Sequence, residues 1–307
     1  MSDLFQYIDL KYIITTVGCY ALCGLYKLIF NNAVPLDCLR NENRAITYLR
    51  RNTSIILVIP IEGKIGEGTL EYHNFEQTIT DIFDKYSTRI KCILLLIESG
   101  GGSVYDSEMI LNTLFFIKNK YQIPLYAQIE SLCASGALMI SCCADRVFAS
   151  PASIIGSIGV RSGTSFNFKE LISKIGIHAK TITKGRGKDE LDGFRDWNDN
   201  EGEITDQLLD DAYDRFLDIV SKSRDIDRHV LKNQYGAGVF YAKRAQEIGL
   251  IDEPNSDYYT TLGYITKKLN LEKYTVVKPK YESKKSFWNN IFTSSTGVNK
   301  FSLEYYN

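Results

Sequence analysis

The stretch Lys91-Cys-Ile-Leu-Leu-Leu-Ile-Glu-Ser-Gly-Gly-Gly-Ser103 joins an unbroken apolar run to three glycines. Such a run, with no alternating polar face, reads as a strand buried on both sides of a parallel sheet. Ser54-Ile-Ile-Leu-Val-Ile-Pro60 is a second run of the same kind. Residues 74–86 and 103–118 carry apolar side chains at helical spacing, so strands and helices alternate in βα units and an α/β fold is expected. The glycines fall where a strand hands over to a helix, and without Cβ atoms their amides approach a bound substrate closely. The loop lacks the Gly-Lys-Ser/Thr ending of a phosphate-binding loop, which argues against ATP binding.

A second segment, Ser131-Leu-Cys-Ala-Ser-Gly-Ala-Leu-Met-Ile-Ser141, sets Ser135 between small residues, after an apolar strand and at the start of an apolar helix. Local sequence alone makes such a serine a helix N-cap. It is also where a nucleophile belongs, provided a base takes its proton and fixed donors stabilise the oxyanion. The Gly100 to Gly102 run can offer one donor, and Gly136, at a helix start where amides lack helical acceptors, can offer the second. Only His73, His178 and His229 are present, none in a recognisable catalytic context. Lysine serves as base when desolvation penalises its ammonium. Lys188, in Gly185-Arg-Gly-Lys-Asp189 and preceded by an apolar strand expected at residues 178–183, is the leading candidate, with Lys184 as rival.

These residues resemble the signal peptide peptidase A group, the protease IV-like serine peptidases of family S49 in the ClpP/crotonase superfamily. The similarity covers roughly residues 54 to 253 and is carried by four segments. They are Leu94 to Tyr105, Cys133 to Ala137, Ala144-Asp-Arg-Val-Phe-Ala-Ser-Pro-Ala-Ser-Ile-Ile-Gly-Ser-Ile-Gly-Val160, and Phe168 to Gly176. The resemblance implies repeated ββα units, Ser135 as nucleophile, Lys188 as general base, Ser157 as the hydroxyl that holds the lysine amine, and Gly102 with Gly136 as oxyanion donors. It implies short or membrane-derived peptides as substrates, remnant signal peptides among them, and no cofactor or metal. With one copy of each motif, it also implies a homo-oligomer whose active sites are shared between subunits. Two departures stand out. Where the family reads Ser-Pro-Gly-Gly, this chain reads Ser99-Gly-Gly-Gly102 and loses the fixed φ of proline. Where it reads Ala-Ser-Gly-Gly, this chain has Ala137 in the last place.

The 307 residues suffice for a full core, and the composition, 44% hydrophobic and 24% charged, is that of a globular protein. A net charge of −1 gives no reason to expect nucleic-acid binding. The seven cysteines, Cys19, Cys23, Cys38, Cys92, Cys133, Cys142 and Cys143, show no metal-ligand spacing and suit a reducing compartment better than a disulfide framework. Cys133 is a minor alternative nucleophile.

Four regions are expected: an N-terminal membrane anchor (1–30), a linker (31–53), the peptidase domain (54–253) and a basic, aromatic C-terminal extension (254–307). The anchor rests on residues 12–30, barely long enough to span, with Lys27 near the end. Lys27, Arg40, Arg44, Arg50 and Arg51 lie at or beyond that end, against family analogy for the topology, so the side of the membrane stays open. Leu208, Leu209, Ala212, Phe216, Ile219 and Val220 mark one face of an amphipathic helix, and the extension reads as a solvated tail or as a contact with anionic lipid or the domain's own surface. Two other readings stand beside the membrane-bound serine endopeptidase: a catalytically inactive membrane scaffold or peptide-binding protein of the same fold, and an acyl-CoA hydratase or isomerase of the crotonase type.

Overall fold

The apolar run at 54–60 becomes β1 (Ser54–Glu62), and the run at 91–97 becomes β2 (Ile90–Ser99), its parallel neighbour. A computed structural model describes residues 53–280 and 302–306. Helix α1 (Tyr72–Tyr86) crosses between the two strands, and α2 (Val104–Tyr121) carries the chain on to β3 (Leu125–Ala134), parallel to β2. The Ser103 hydroxyl caps α2 by accepting from the Asp106 amide, and Gln122 closes it in the left-handed conformation.

The chain continues through α3 (Gly136–Ser141), β4 (Arg146–Ala149) and β5 (Ile154–Gly156), both strands pairing with β3. Next come α4 (Lys169–Lys174), α5 (Glu203–Arg224), β6 (Val239–Tyr241), α6 (Ala242–Glu247), α7 (Tyr258–Lys268), β7 (Tyr274–Lys280) and β8 (Ser302–Tyr306). The sheet order is β6-β5-β3-β2-β1-β7-β8, with β4 on β3 off this path. The fold is mixed α/β. Of the ββα repeat implied by the resemblance, the described residues show single strands alternating with helices from β1 to α3.

Because alternate strand residues point to opposite faces, each apolar run supplies two cores. Ile55, Leu57, Ile59 and Ile61 join Ile93, Leu95 and Ile97 under the helices of one face. Ile56, Val58, Cys92 and Leu94 pack on the other with Ile265 of α7 and Val276 of β7. Fully burying one such side chain stabilises the fold by roughly 1.5–3 kcal/mol.

Several expectations are corrected here. The sheet does not end near residue 253: α7 and β7 continue it, β7 pairing in parallel with β1 and burying Val276 and Val277, so at least residues 258–280 belong to the body rather than to a solvated tail. The expected strand at 178–183 does not form. It finds no sheet partner, and Ile182 is 78% exposed. On α5 the buried face is Ala212, Phe216, Leu217 and Val220, while Leu208 is exposed, because the first two turns project beyond the core. The expected anchor, and the linker up to residue 52, lie outside the described residues. Among those described, no helix is long and apolar enough to cross a membrane.

Candidate active site

Ser135 follows β3 directly and occupies the N-cap position of α3 with φ 54° and ψ −123°. Positive φ is costly for a residue with a Cβ, by about 1–3 kcal/mol, and persists only where the surroundings enforce it. Here they do. The Ser135 amide donates to the Gly156 carbonyl of β5 at 3.0 Å, extending the register that pairs Ala134 with Gly156. Its carbonyl accepts from the Met139 amide at 3.1 Å, starting the helix. The hydroxyl makes no capping bond, so the N-cap role read from local sequence is not the one this side chain performs.

Gly136, the next residue, is fully enclosed: a Cβ there would stand 2.1 Å from the hydroxyl oxygen of buried Ser107 on α2. The glycine loop lies against the same turn. Gly101 has φ 91°, and a Cβ on it would come within 2.7 Å of the Gly136 nitrogen and 2.8 Å of the Ser135 Cβ. Gly102 forms a parallel bridge with Ile65, in which the Ile65 amide donates to the Gly101 carbonyl at 3.0 Å and the Ser103 amide to the Ile65 carbonyl at 2.9 Å. In that pattern the middle residue turns its own amide away from its partner. Among the described residues, neither the Gly102 nor the Gly136 amide has an acceptor.

Sequence reading missed Ser99. Its hydroxyl is buried, donates to the Gly63 carbonyl at 2.6 Å and accepts from the Gly101 amide at 3.1 Å, pinning the loop where the family's proline is absent. The bond to Gly63 spans 36 residues, which no local pattern signals.

Ser157, the residue after the Gly156 that receives the Ser135 amide, also has positive φ, 58°, and donates its amide to the Gly238 carbonyl at 2.7 Å. The structure thus brings Ser135, Ser157, the glycine loop and Gly136 to one end of the sheet. Lys188 is on a different segment. Lys188 stands in a turn between α4 and α5 and is an exposed residue, and among the described residues no hydrogen bond links it to Ser135 or Ser157. The desolvation that a lysine base requires is therefore not supplied within one chain. Lys184 is exposed as well.

The four described cysteines are free and buried. Burial pushes the Cys133 thiol well up and the Cys142 thiol to about 11, which keeps both protonated and unreactive. Among the described residues no group of histidine, cysteine or carboxylate side chains is arranged to hold a metal.

Known proteins resemble this chain in sequence. An Enterococcus faecium protein with the name "Putative signal peptide peptidase SppA" is 28% identical over 236 residues, 76% of this chain and 67% of that protein. A Methanocaldococcus jannaschii "Putative protease" is 31% identical over 168 residues, 55% of this chain and 53% of that one, so the match spans about half of that relative's length. Among solved structures, a ClpP1 mutant from Listeria monocytogenes aligns with a TM-score of 0.45 at 14% identity, covering 70% of this chain and 98% of that one. The family description "Peptidase family S49" matches residues 117–271, a stretch that holds Ser135, Ser157 and Lys188. With half of its length under that match, the chain belongs to peptidase family S49.

Proposed function

We propose that this protein is a serine endopeptidase that works through a Ser135–Lys188 dyad. The observation that carries the reading is Ser135 itself, a strained serine whose hydroxyl is not used as a cap, packed against Gly101 in a turn where, among the described residues, the Gly102 and Gly136 amides have no acceptor. In this reading the Ser135 hydroxyl attacks the scissile carbonyl while Lys188 takes its proton. The Gly102 and Gly136 amides receive the oxyanion, Lys188 returns the proton to the leaving amine, and water then hydrolyses the acyl-enzyme. Ser157 holds the lysine amine. No cofactor enters.

The substrates are short or membrane-derived peptides, remnant signal peptides among them, and the enzyme is membrane-associated through the apolar segment at residues 12–30. The working form is a homo-oligomer in which Lys188 of one copy completes the site of the next. Three observations support a second copy as the cover. Lys188 is exposed although a base must be dry. One copy of each motif exists per chain. The segment bearing Lys188 exposes Phe166, Leu171, Ile175, Ile182 and Phe194, apolar side chains that a second copy would take out of water.

The test is the pH dependence of peptide-ester hydrolysis by the full chain. A lysine must be neutral to accept the proton, so kcat/KM is expected to rise with pH to an alkaline plateau. An optimum below neutrality with decline above it would contradict a lysine base.

A further inference from the structure

The segment from Asp189 to Glu203 carries seven carboxylates, a poor neighbourhood for a lysine that must shed its proton. Six of them are already occupied. Glu190 accepts from the Ile204 and Thr205 amides, both at 2.9 Å, and from the Thr205 hydroxyl at 2.7 Å, which ties the Lys188 turn to the first turn of α5 and holds this carboxyl below its usual range. Glu203 pairs with Arg186 at 2.9 Å, and Asp196 with Lys169. Asp192 accepts from the Thr181 hydroxyl and the Phe194 amide. Arg195 takes the remaining two. Its Nε donates to the Asp189 carboxylate at 2.8 Å, one terminal nitrogen donates to the Asp189 carbonyl at 2.7 Å, and both terminal nitrogens reach the Glu201 carboxylate at 2.8 and 2.9 Å. The bond from Arg195 is the largest of the causes that hold the Glu201 carboxyl down at about 2. Asp199, the seventh, is exposed. Among the described residues Lys188 pairs with none of the seven. The arrangement encloses an open cavity of about 480 Å³ whose lining includes Arg186, Asp189, Glu190, Arg195 and Glu201.

We propose that Arg195 is a positioning residue for Lys188: it fixes the turn that carries the lysine and, by engaging the Asp189 and Glu201 carboxylates, keeps them from pairing with the Lys188 ammonium. This rests on the reading of Lys188 as base. A guanidinium suits the task because its planar fork binds one carboxylate through two nitrogens while a third donor direction serves another. Core packing contributes little here, since few apolar side chains of residues 161–202 are buried.

The experiment measures kcat/KM against pH for a small peptide ester with the full chain and its variants. In Arg195→Ala the freed Asp189 carboxylate favours the neighbouring ammonium, so the acid limb moves to higher pH by about one unit and activity at neutral pH falls about tenfold, more than the alkaline plateau does. Asp189→Asn alone leaves the Arg195 charge partly uncompensated and moves the limb to lower pH. Combining the two brings the limb back toward that of the unaltered enzyme, and Arg195→Lys, which keeps the charge without the fork, gives a smaller displacement than Arg195→Ala. A limb that stays in place in Arg195→Ala, with only the plateau reduced, would make Arg195 merely structural and overturn the proposal. Should Arg195→Ala fail to fold, Asp189→Asn decides: a limb at lower pH supports the proposal and an unmoved limb overturns it. Lys188→Ala is measured alongside. Full activity there would remove the base assignment itself, an outcome separate from any behaviour of Arg195.

Discussion

Ser135→Ala and Lys188→Ala are each expected to lower peptide-ester hydrolysis by about three orders of magnitude or more, with the fold intact, and the double variant is expected to be no worse than either. Nucleophile and base act as one unit, so removing the second after the first costs almost nothing further. Neither change disturbs the core: the Ser135 hydroxyl makes no capping bond and the Lys188 side chain is exposed. Mixing the two inactive proteins under subunit exchange extends the test. If the site is shared, some interfaces pair an intact serine with an intact lysine and part of the activity returns. No recovery in proven mixed oligomers would put both residues in one chain. Full activity in Lys188→Ala with loss in Lys184→Ala would move the base four residues upstream.

The second large effect concerns the glycine loop. Gly102→Ala would place a Cβ 2.0 Å from the Ile65 carbonyl oxygen and 2.7 Å from its nitrogen, both backbone atoms that cannot swing aside. The Ile65 bridge must open or the loop must shift, and either displaces an amide that the mechanism assigns to the oxyanion. Loss of one such donor costs about 10²–10³ in kcat. The steric strain adds about 1–3 kcal/mol of destabilisation, read as a lower unfolding midpoint. Gly100→Ala is the control. Its Cβ would meet only the Leu132 side chain at 3.6 Å, an ordinary contact, so activity and midpoint should stay close to those of the unaltered enzyme. Equal kinetics in Gly102→Ala and Gly100→Ala would contradict the role given to the loop.

What the sequence made legible follows the range of the interactions involved. The two apolar runs announced β1 and β2 because burial on both faces leaves a local signature, and the helical apolar spacing over 103–118 announced α2. The serine turn was legible as a run of small residues between strand and helix. Its strained backbone was not, because the constraint comes from Gly156, on a strand that follows later in the chain. The chain beyond residue 253 was left open between a solvated tail and a contact with lipid or the domain's own surface for the same reason: α7 and β7 cover the second face of the sheet, a contact between Val276 and Ile56 that spans most of the domain. A lysine among glycines looked like the end of an apolar strand. The structure gives that segment no sheet partner and sets the lysine in a turn held by Arg195, Glu190 and Glu201, polar contacts with no periodic signal.

One measurement bears on Ser135 most directly. The full chain is treated with a fluorophosphonate at mildly alkaline pH, digested, and the modified peptide identified by mass spectrometry. The adduct is expected on the peptide holding Ser135, absent in Ser135→Ala and formed far more slowly in Lys188→Ala, since only a hydroxyl whose proton is taken as it attacks reacts at an appreciable rate. An adduct on another residue, or an active enzyme that carries no adduct at Ser135, would contradict the account.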